Sequence, residues 1–394
     1  MASTSYDSSS AILSFEPPVS PNNDYGTLED TAQYAIWRMT SESMKPNAAS
    51  TRSEEIDAER MTTGILRTDS GAAGTINSEL AFNTFDEQIQ YALQAAALPA
   101  GTHSAGAGVT VGASNLLTDV DLTAGNGYTE GRWIKISAAT DVENNGVFRI
   151  VGDGAGSITV AGRPLTSGGS CTVDLTNFIE NGITCTHFGL LKLLSGTPDV
   201  YTGFGGSVIN ALTIAGERGG LITASFDLFS KLMTNEGASH PSAGGNATAS
   251  ANPPLSSVAD FNNVVEANAL TATDIISFAF TLTNNLRPRN VMGTEGAIGV
   301  GNGSVTLEGS YTKYFENMTL VDKFLANTTS QFGVGMQDEN GAVLAFDAPA
   351  IKYTDAQKVA GGKDTDILME LSFEGFKETA SGNDLKMFSF HTLI

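Results

Sequence analysis

The sequence predicts a mainly β protein: a β-sandwich or β-barrel core with one or two short flanking helices, and a small all-β domain inserted into that core. Charged residues make up only 16% of the 394 residues, and 43 residues are glycine. This composition is typical of β-rich folds with many turns. Apolar residues alternate with a period of two along many short segments, whereas only two short segments have the spacing of a helix.

The chain divides into four predicted segments. Residues 1–30 are rich in Ser, Pro and Asn and predict an extended arm with little core of its own. Residues 31–107 and 177–394 form the two parts of the core. Residues 108–176 form the inserted domain, because short strands follow one another there at close spacing and the earlier pattern resumes afterwards. Residues 100–108 are nearly all small and predict a flexible linker.

The first part of the core begins with strands that are separated by an excursion. Three strands are predicted, at residues 33–40, 52–56 and 74–82. In the last of these, Ile76, Leu80 and Phe82 share a period of two and face one core. Pro46 and the small residues after it interrupt the pattern, so residues 41–51 are predicted to be irregular.

A helix is predicted directly after these strands. Thr84 stands three residues before Glu87, which is the spacing of a capping box. The apolar stripe of the helix includes Phe85, Ile89 and Leu93. Proline at position 99 ends the helix, because proline disfavours a helical residue before it. The predicted helix, residues 84–97, is about 21 Å long at 1.5 Å per residue.

The remaining elements are predicted from the same patterns. A second short helix is predicted at residues 319–327, and Asn340-Gly341 predicts a hairpin turn. The last two strands are predicted to form a pair. The strands are expected at residues 116–122, 133–136, 146–151 and 157–160 in the insert, and at 201–214, 221–229, 276–282, 303–315, 332–336, 345–353, 368–376 and 385–390 in the core.

The net charge excludes several classes of partner. The formal charge is −22 and the pI is about 4.4. This charge argues against binding to nucleic-acid phosphates, which needs clustered Lys and Arg. It also argues against binding to an anionic membrane surface, which attracts basic segments. No run of about 20 apolar residues predicts a membrane span. No export signal is visible, so we expect a protein that is made and used without export.

No residue pattern predicts a catalytic, metal or cofactor site, and we expect no enzyme activity. Cys171 and Cys185 fit no zinc motif; two free thiols are favoured, and one disulfide stays open. His187 and Cys185 share one face of a predicted strand, an arrangement that suits a metal or a thiol nucleophile. No third ligand is near them, so buried packing is the favoured interpretation. Neither Gly-x-Ser-x-Gly nor His-Glu-x-x-His occurs.

Two stretches resemble a known family. The first, residues 52–94, reads RSEEIDAERMTTGILRTDSGAAGTINSELAFNTFDEQIQYALQ. The second contains a strand, Asn284-Asn285-Leu286, a strand with Gly-x-x-x-x-Tyr-Phe, a helix, Gly361-Gly362-Lys363-Asp364, and a strand ending Glu-Leu-Ser-Phe-Glu. Both are similar to the tail tube proteins, or major tail proteins, of long-tailed bacteriophages. The resemblance implies a tail-tube-type β-sandwich or barrel core.

The resemblance also implies a function in the virion. Six copies would form a ring, and stacked rings would form the hollow tail tube that conducts viral DNA to the host cell. The implied partners are further copies of the chain in the same and adjacent rings, the tape measure protein, and the tail tip and tail terminator proteins. Double-stranded DNA would pass transiently without specific binding, and no membrane is involved. Assembly would take place in the host cytoplasm, and the protein would reside in the phage tail.

Several roles follow for particular segments. In the family a hairpin loop reaches toward the next ring, and the resemblance places this role on Ser41, Glu42, Ser43, Met44, Lys45, Pro46, Asn47, Arg52, Glu54 and Glu55. The core helix with Thr84, Phe85, Glu87, Ile89 and Leu93 is expected outside the barrel wall. The insert is too large for a narrow lumen and is expected on the exterior, which predicts a sheathless, non-contractile tail of the siphovirus type. A ring of six would carry six times −22, or −132, and its acidic lumen would repel phosphate.

Two other functions remain as alternatives. One is a surface or fimbrial β protein or a carbohydrate-binding module, which needs an export signal and an aromatic platform for sugar. Trp37 is predicted to lie in the core, and Trp133 in the core of the insert unless it is exposed to a sugar. The other is a glycan-cleaving depolymerase, which needs a catalytic pair of carboxylates.

Overall fold

The computed structural model describes residues 6–16, 26, 28, 33–56, 59, 61–95, 103–269, 274–360, 362–363, 365–377 and 388–393. The first part of the core contains β1 Ala11–Phe15, β2 Ala35–Trp37, β3 Ser41–Glu42, β4 Lys45–Arg52, β5 Ile65–Glu79 and helix α1 Asp86–Ala92. The insert contains β6 Ser104–Val111, β7 Leu116–Thr118, β8 Trp133–Ser137, β9 Gly146–Gly154, β10 Ser157–Ala161 and β11 Ser170–Leu175.

The second part of the core contains the remaining elements. These are β12 Asn177–Glu180, β13 Phe188–Leu194, β14 Val200–Glu217, β15 Thr223–Ser230, β16 Leu232–Gly237, β17 Phe261–Glu266, β18 Ile275–Thr283, β19 Arg287–Arg289, β20 Gly299–Gly301, β21 Thr306–Tyr314, α2 Thr319–Leu325, β22 Ser330–Gln337, β23 Val343–Ala360, β24 Ile367–Gly375 and β25 Ser389–Leu393. The mainly β fold class is confirmed.

The core is a sandwich of antiparallel strands. One layer has the order β4–β5–β15–β14–β18–β21–β24–β23. Strand β14 pairs with β15 and β18 in its C-terminal half and with β13 and β16 near its start, so it belongs to both layers. Strand β23 likewise pairs with β22 and β25 before it joins β24. Alternate side chains of these strands fill one apolar core that includes Trp37, Phe226, Phe280, Phe332 and Phe373.

Strands β6 to β11 close into a small barrel with the order β10–β7–β6–β11–β8–β9. The barrel has an apolar core of its own, which includes Leu117, Ile134, Phe148, Val160 and Val173. The linker predicted at residues 100–108 is wrong from Ser104 onward, because β6 begins there. Residues 100–102 lie outside the described part of the chain.

The N-terminal arm was expected to have little core of its own, and this is wrong for β1. Strand β1 lies between β2 and β13, and its Leu13 and Phe15 are buried in the main core. The aromatic rings of Phe15 and Trp37 meet edge to face, with 5.7 Å between their centroids. Residues 1–5 and 17–25 of the predicted arm lie outside the described part of the chain.

The two helices are short. Helix α1 has seven residues and is about 10 Å long rather than about 21 Å. The capping box is wrong: Phe85 occupies the N-cap position without a capping side chain, and Thr84 Oγ1 donates to Phe82 O at 3.0 Å. Helix α2 lies where the sequence predicts the second helix. The last two strands do not form a pair, because β24 lies between β21 and β23 whereas β25 lies between β12 and β23.

Candidate assembly surfaces

Strands β4 and β5 form a hairpin that projects beyond the rest of its layer. The pairing of β5 with β15 ends where Ala72 faces Ser230. From Ile65 to Gly71, β5 pairs with β4 alone, over about 24 Å at 3.4 Å per residue. Residues 53–64 connect the two strands along the chain, and of these the structure describes 53–56, 59 and 61–64. All eight residues of β4 are exposed.

Most residues that were predicted to form an irregular loop lie at the base of this hairpin instead. Ser43 N donates to Thr75 O at 3.0 Å. Met44 is buried against Gly74, where a Cβ would lie only 2.6 Å from Met44 Cα. The residues at the base are Ser41, Glu42, Ser43, Met44, Lys45, Pro46 and Asn47. The prediction of irregular structure at 41–51 is therefore wrong, since β3 and most of β4 lie there.

The far end of the hairpin is both charged and apolar; we call its described residues, 52–56, 59 and 61–66, the hairpin end. Arg52, Glu54 and Glu55 are exposed there. Ile56 is 99% exposed, and further exposed apolar side chains are those of Met61, Ile65 and Leu66. An isolated hairpin is marginally stable in water, and a cluster of exposed apolar residues marks an interaction surface. The hairpin end thus has the composition of a contact surface whose partner lies outside one copy.

A second small hairpin, β19–β20, braces the projecting one. Asn290 Nδ2 donates to Asp69 Oδ2 at 2.9 Å. Arg67 and Glu295 form an ion pair at 3.2 Å, but both side chains are exposed and the pair adds little stability. These contacts orient the projecting strands relative to the core.

One face of the sandwich carries an excess of carboxylates. We call the acidic face the solvent-facing side of residues 73–79, of β15, of the C-terminal half of β14, and of β18, β21 and β24. Glu308 of β21 lies directly opposite Glu374 of β24, although like charges at this spacing are destabilising. Between the carboxylates lie small residues such as Thr213, Ser225, Ala279, Thr281 and Ser372. The carboxylates are Glu79, Glu217, Asp227, Glu308, Glu370 and Glu374. On the described part of these strands no Lys or Arg faces the same side, but Lys352 of β23 lies directly opposite Glu374 and Lys45 of β4 lies opposite Ala73, so a lysine flanks the face at each edge.

The inserted barrel docks on the opposite side of the sandwich. Trp133 is fully buried between the barrel and the core, not in the core of the insert as predicted. Its indole lies over Gly333 and Gly335 of β22, where an added Cβ would come within 2.8 and 2.7 Å of the ring. On the other side of β22, Phe332 contacts Phe280 of β18, with 5.5 Å between the ring centroids. The acidic face and the barrel are therefore separated by the apolar core.

A buried ion pair also joins the barrel to the core. Arg149 of β9 and Asp347 of β23 are 2% and 1% exposed, and Arg149 Nε donates to both carboxylate oxygens at 3.0 and 3.1 Å. Arg149 Nη1 donates to Asn268 Oδ1, and Gln331 Nε2 donates to Asp347 Oδ1, each at 2.6 Å. Such a pair requires one orientation of the two partners. The barrel thus has a fixed position on the core.

Comparison with known protein families decides which kind of assembly these surfaces belong to. A family model described as phage tail tube protein matches residues 19–375. The chain belongs to the phage tail tube protein family. The match confirms the resemblance seen in the sequence and supports a structural role in the virion, in a tube formed with other tail components. A search of curated proteins found no match.

The described residues of this tail tube protein give no support to a metal site. No cluster of three or more His, Cys, Asp and Glu side chains with metal-binding geometry occurs among them. Cys171 and Cys185 are free thiols, as favoured, and burial raises the pKa of both, that of Cys171 to about 11. Cys185 and His187 precede β13 and are not on a strand, contrary to the prediction.

Exposure bears on the sugar-binding alternative. Trp37 lies in the core, as predicted, and Trp133 is buried as well, so neither supplies a platform for sugar.

Within the described ranges, no helix has the length and apolar character needed to cross a membrane.

Helix α1 packs on the core through Ile89, and Leu93, directly after the helix, is also buried. Asp86 begins the helix and is half-buried, with its Oδ1 atom shielded from solvent. Burial raises its pKa to about 6, and the neighbouring charge of Glu87 adds to this effect. Burial also raises the pKa of Glu87. The positive end of the helix favours the charged form and opposes these effects in part.

We expect the tail tube protein to lose stability as the pH rises through the titration range of Asp86. The unfolded carboxyl titrates near 3.8 and the folded one near 6, so the folded state holds the proton over this range. The contribution of Asp86 to the free energy of unfolding then falls between about pH 4 and pH 6. Asp86→Asn should therefore change the free energy of unfolding differently at the two pH values. Its effect at pH 8 should be more stabilising than its effect at pH 4 by about 2 kcal/mol. Urea unfolding at both pH values measures this, with the exposed Asp153→Asn as the control; equal changes in the two variants would contradict it.

Proposed function

We propose that this protein forms rings of six copies, and that the rings stack into the hollow tube through which viral DNA reaches the host cell. The family match supports a tail tube. The position that we propose for the lumen rests on the acidic face. The further partners that we propose are the tape measure, tail tip and tail terminator proteins. Assembly in the host cytoplasm and the lack of enzyme activity belong to the same proposal.

In the proposed ring the acidic face lines the lumen. Its carboxylates repel the DNA phosphates, and they outnumber the lysines at the edges of the face, Lys45 and Lys352, so the wall as a whole does not hold DNA in place. The small side chains between the carboxylates leave the wall smooth. Glu308 and Glu374 lie opposite each other, and Lys352 on the other side of Glu374 balances part of their charge at the edge of the face.

Two open strand edges supply the contacts within the ring. Within the described residues, β4 pairs only with β5, and residues 352–360 of β23 pair only with β24. Unpaired edges are templates for pairing with another chain, and pairing between neighbours would continue one sheet around the lumen. Pro46 has no N–H to donate, so the pairing along β4 would begin after it.

The inserted barrel lies on the exterior of the proposed tube. It is separated from the acidic face by the apolar core, so a lumen on one side places the barrel on the other. A ring of docked barrels would obstruct a contractile sheath, and we therefore propose a sheathless, siphovirus-type tail. The hairpin end, at one end of the sandwich, reaches toward the adjacent ring.

Electron microscopy of the purified protein tests this proposal. We expect hollow tubes or rings with six-fold symmetry. The double variant Ile56→Asp, Leu66→Asp should give rings without tubes, because two charges would be buried in each contact between rings. The matched control is Val120→Asp, at a residue that is 85% exposed on the barrel, and it should form tubes as the unchanged protein does. Monomers at all concentrations, even with tail tip complex added, would overturn the proposal.

A further inference from the structure

An apolar cleft lies at the end of the sandwich opposite the hairpin end. Its volume is about 220 Å³, below the 300–1,000 Å³ that is usual for small-molecule sites. A cleft of this size suits a few side chains of a protein partner. It is lined by Gly216, Glu217, Arg218, Ser257, Val258, Phe261 and residues 275–278.

The walls of the cleft are apolar and its rim is charged. Phe278 is buried at the bottom, and a Cβ at Gly216 would lie 2.7 Å from its ring and 2.6 Å from Ile222, so the packing at this position requires glycine. Val258 is 68% exposed at the rim. Glu217 and Arg218 are also exposed, and they place one charge of each sign beside the apolar wall.

The hairpin end complements this cleft. Ile56 presents a fully exposed apolar side chain. Arg52 precedes it by four residues, and Glu54 and Glu55 lie directly before it. The hairpin end therefore carries an apolar side chain with charges of both signs beside it, as the cleft requires. Complementary charges of this kind set the register of an interface more than its affinity.

The two surfaces cannot meet within one copy. Strand β5 leads from the hairpin end at Ile65 to Glu79, which faces Thr223 of β15 beside the β14–β15 turn and the cleft. Its fifteen residues span about 50 Å. A second copy, placed end to end with the first, brings the two surfaces together. Because the contact joins unlike surfaces and does not close on itself, it adds copies without limit.

We infer that the hairpin end of one copy inserts Ile56 into this cleft on a copy in the adjacent ring. Glu54 or Glu55 then pairs with Arg218, and Arg52 pairs with Glu217. The inference rests on the proposed tube and adds to it the site that receives the hairpin. The occupant is thus a second copy of this chain.

Disulfide cross-linking tests the contact directly. In a Cys185→Ser background, where the remaining Cys171 is buried, Ile56→Cys and Val258→Cys proteins are mixed, assembled and oxidised. We expect a covalent dimer from the mixture and none from either protein alone. Ile56→Cys mixed with Val142→Cys is the matched control, because residue 142 is exposed on the barrel. Tubes in which the 56–258 mixture gives no more dimer than this control would overturn the inference and leave the tube itself standing.

A charge exchange covers the case in which the cysteine variants do not assemble. Arg218→Glu should raise the protein concentration needed for tube formation by about tenfold, and Glu54→Arg with Glu55→Arg should do the same. The combined variant should return to within about threefold of the unchanged protein. If the effects of the two variants simply add in the combined variant, this result would contradict the pairing. If the unchanged protein forms no tubes, the proposed function fails, and the inference fails with it.

Discussion

Asp347→Ala is expected to lower the free energy of unfolding by about 3–5 kcal/mol, because it leaves the Arg149 guanidinium buried without its carboxylate. Arg149 is 2% exposed, and among the described residues Asn268 is the side chain that would still accept a hydrogen bond from it. Gln331 would lose its acceptor as well. Since Arg149 belongs to the barrel and Asp347 to the core, the damage falls on the contact between them. We therefore expect the barrel to undock before the core unfolds.

Urea unfolding followed by tryptophan fluorescence measures both effects. In a Trp37→Phe background only Trp133 emits, and it lies between the barrel and the core. Undocking should shift its emission to longer wavelength before the loss of circular dichroism. The control is the double variant Arg149→Met, Asp347→Leu, which replaces both charges with apolar groups and should recover most of the lost stability. A single-site Asp347→Ala protein as stable as the unchanged one would show that the ion pair does not hold the barrel.

The alternation of apolar and polar residues in the sequence was enough to predict the strands of the core. Ile222, Ala224, Phe226 and Leu228 alternate with polar residues, and all four are buried. Such strands are identified because one face is removed from water. Strand β4 has no such face: its eight residues are all exposed, and it is held by pairing with β5. Hydrogen bonding to a partner strand leaves no pattern in the sequence, so residues 45–51 of β4 were predicted to be irregular.

Segments rich in glycine and alanine account for a second kind of error in the prediction from the sequence. Strand β6 contains Ser104, Gly106 and Gly108, and only Val109 and Val111 are buried. Its composition is that of a linker, and closure of the barrel makes it a strand. Gly333 and Gly335 likewise look like ordinary strand glycines, and only the position of the Trp133 ring explains them. A contact between distant segments cannot be read from the spacing of either one.

The start of α1 shows that a local motif can lose to tertiary packing. Thr84 and Glu87 have the spacing of a capping box. The hydroxyl of Thr84 instead bonds to Phe82 O and lies 3.0 Å from Ser250 Oγ. Burial of Phe85 fixes this turn, because its ring stacks on Phe226 with 6.4 Å between the centroids. The helix therefore begins two residues after Thr84.

Reversing the charge on the acidic face should convert the proposed lumen from one that repels DNA to one that binds it. Each Glu→Lys change adds two units to the formal charge of −22, so Glu308→Lys with Glu374→Lys leaves the chain at −18. The tube as a whole stays acidic, and only the wall beside these two strands changes sign. In a ring of six, twelve lysines would face the DNA phosphates. We expect stable retention of DNA that weakens steeply with salt, because bound phosphates release counterions.

The measurement is the amount of nuclease-protected DNA in tubes that have been incubated with linear duplex, at low and high salt. Unchanged tubes should protect none. Glu130→Lys with Glu143→Lys makes the same change in formal charge at exposed positions of the barrel, and on the proposed exterior any bound DNA stays open to nuclease. Equal protection by the two variants would mean that the acidic face does not line the lumen. Protection by the Glu308 and Glu374 variant alone would distinguish the two sides of the sandwich, because salt screens exposed charges that lie more than about 10 Å apart.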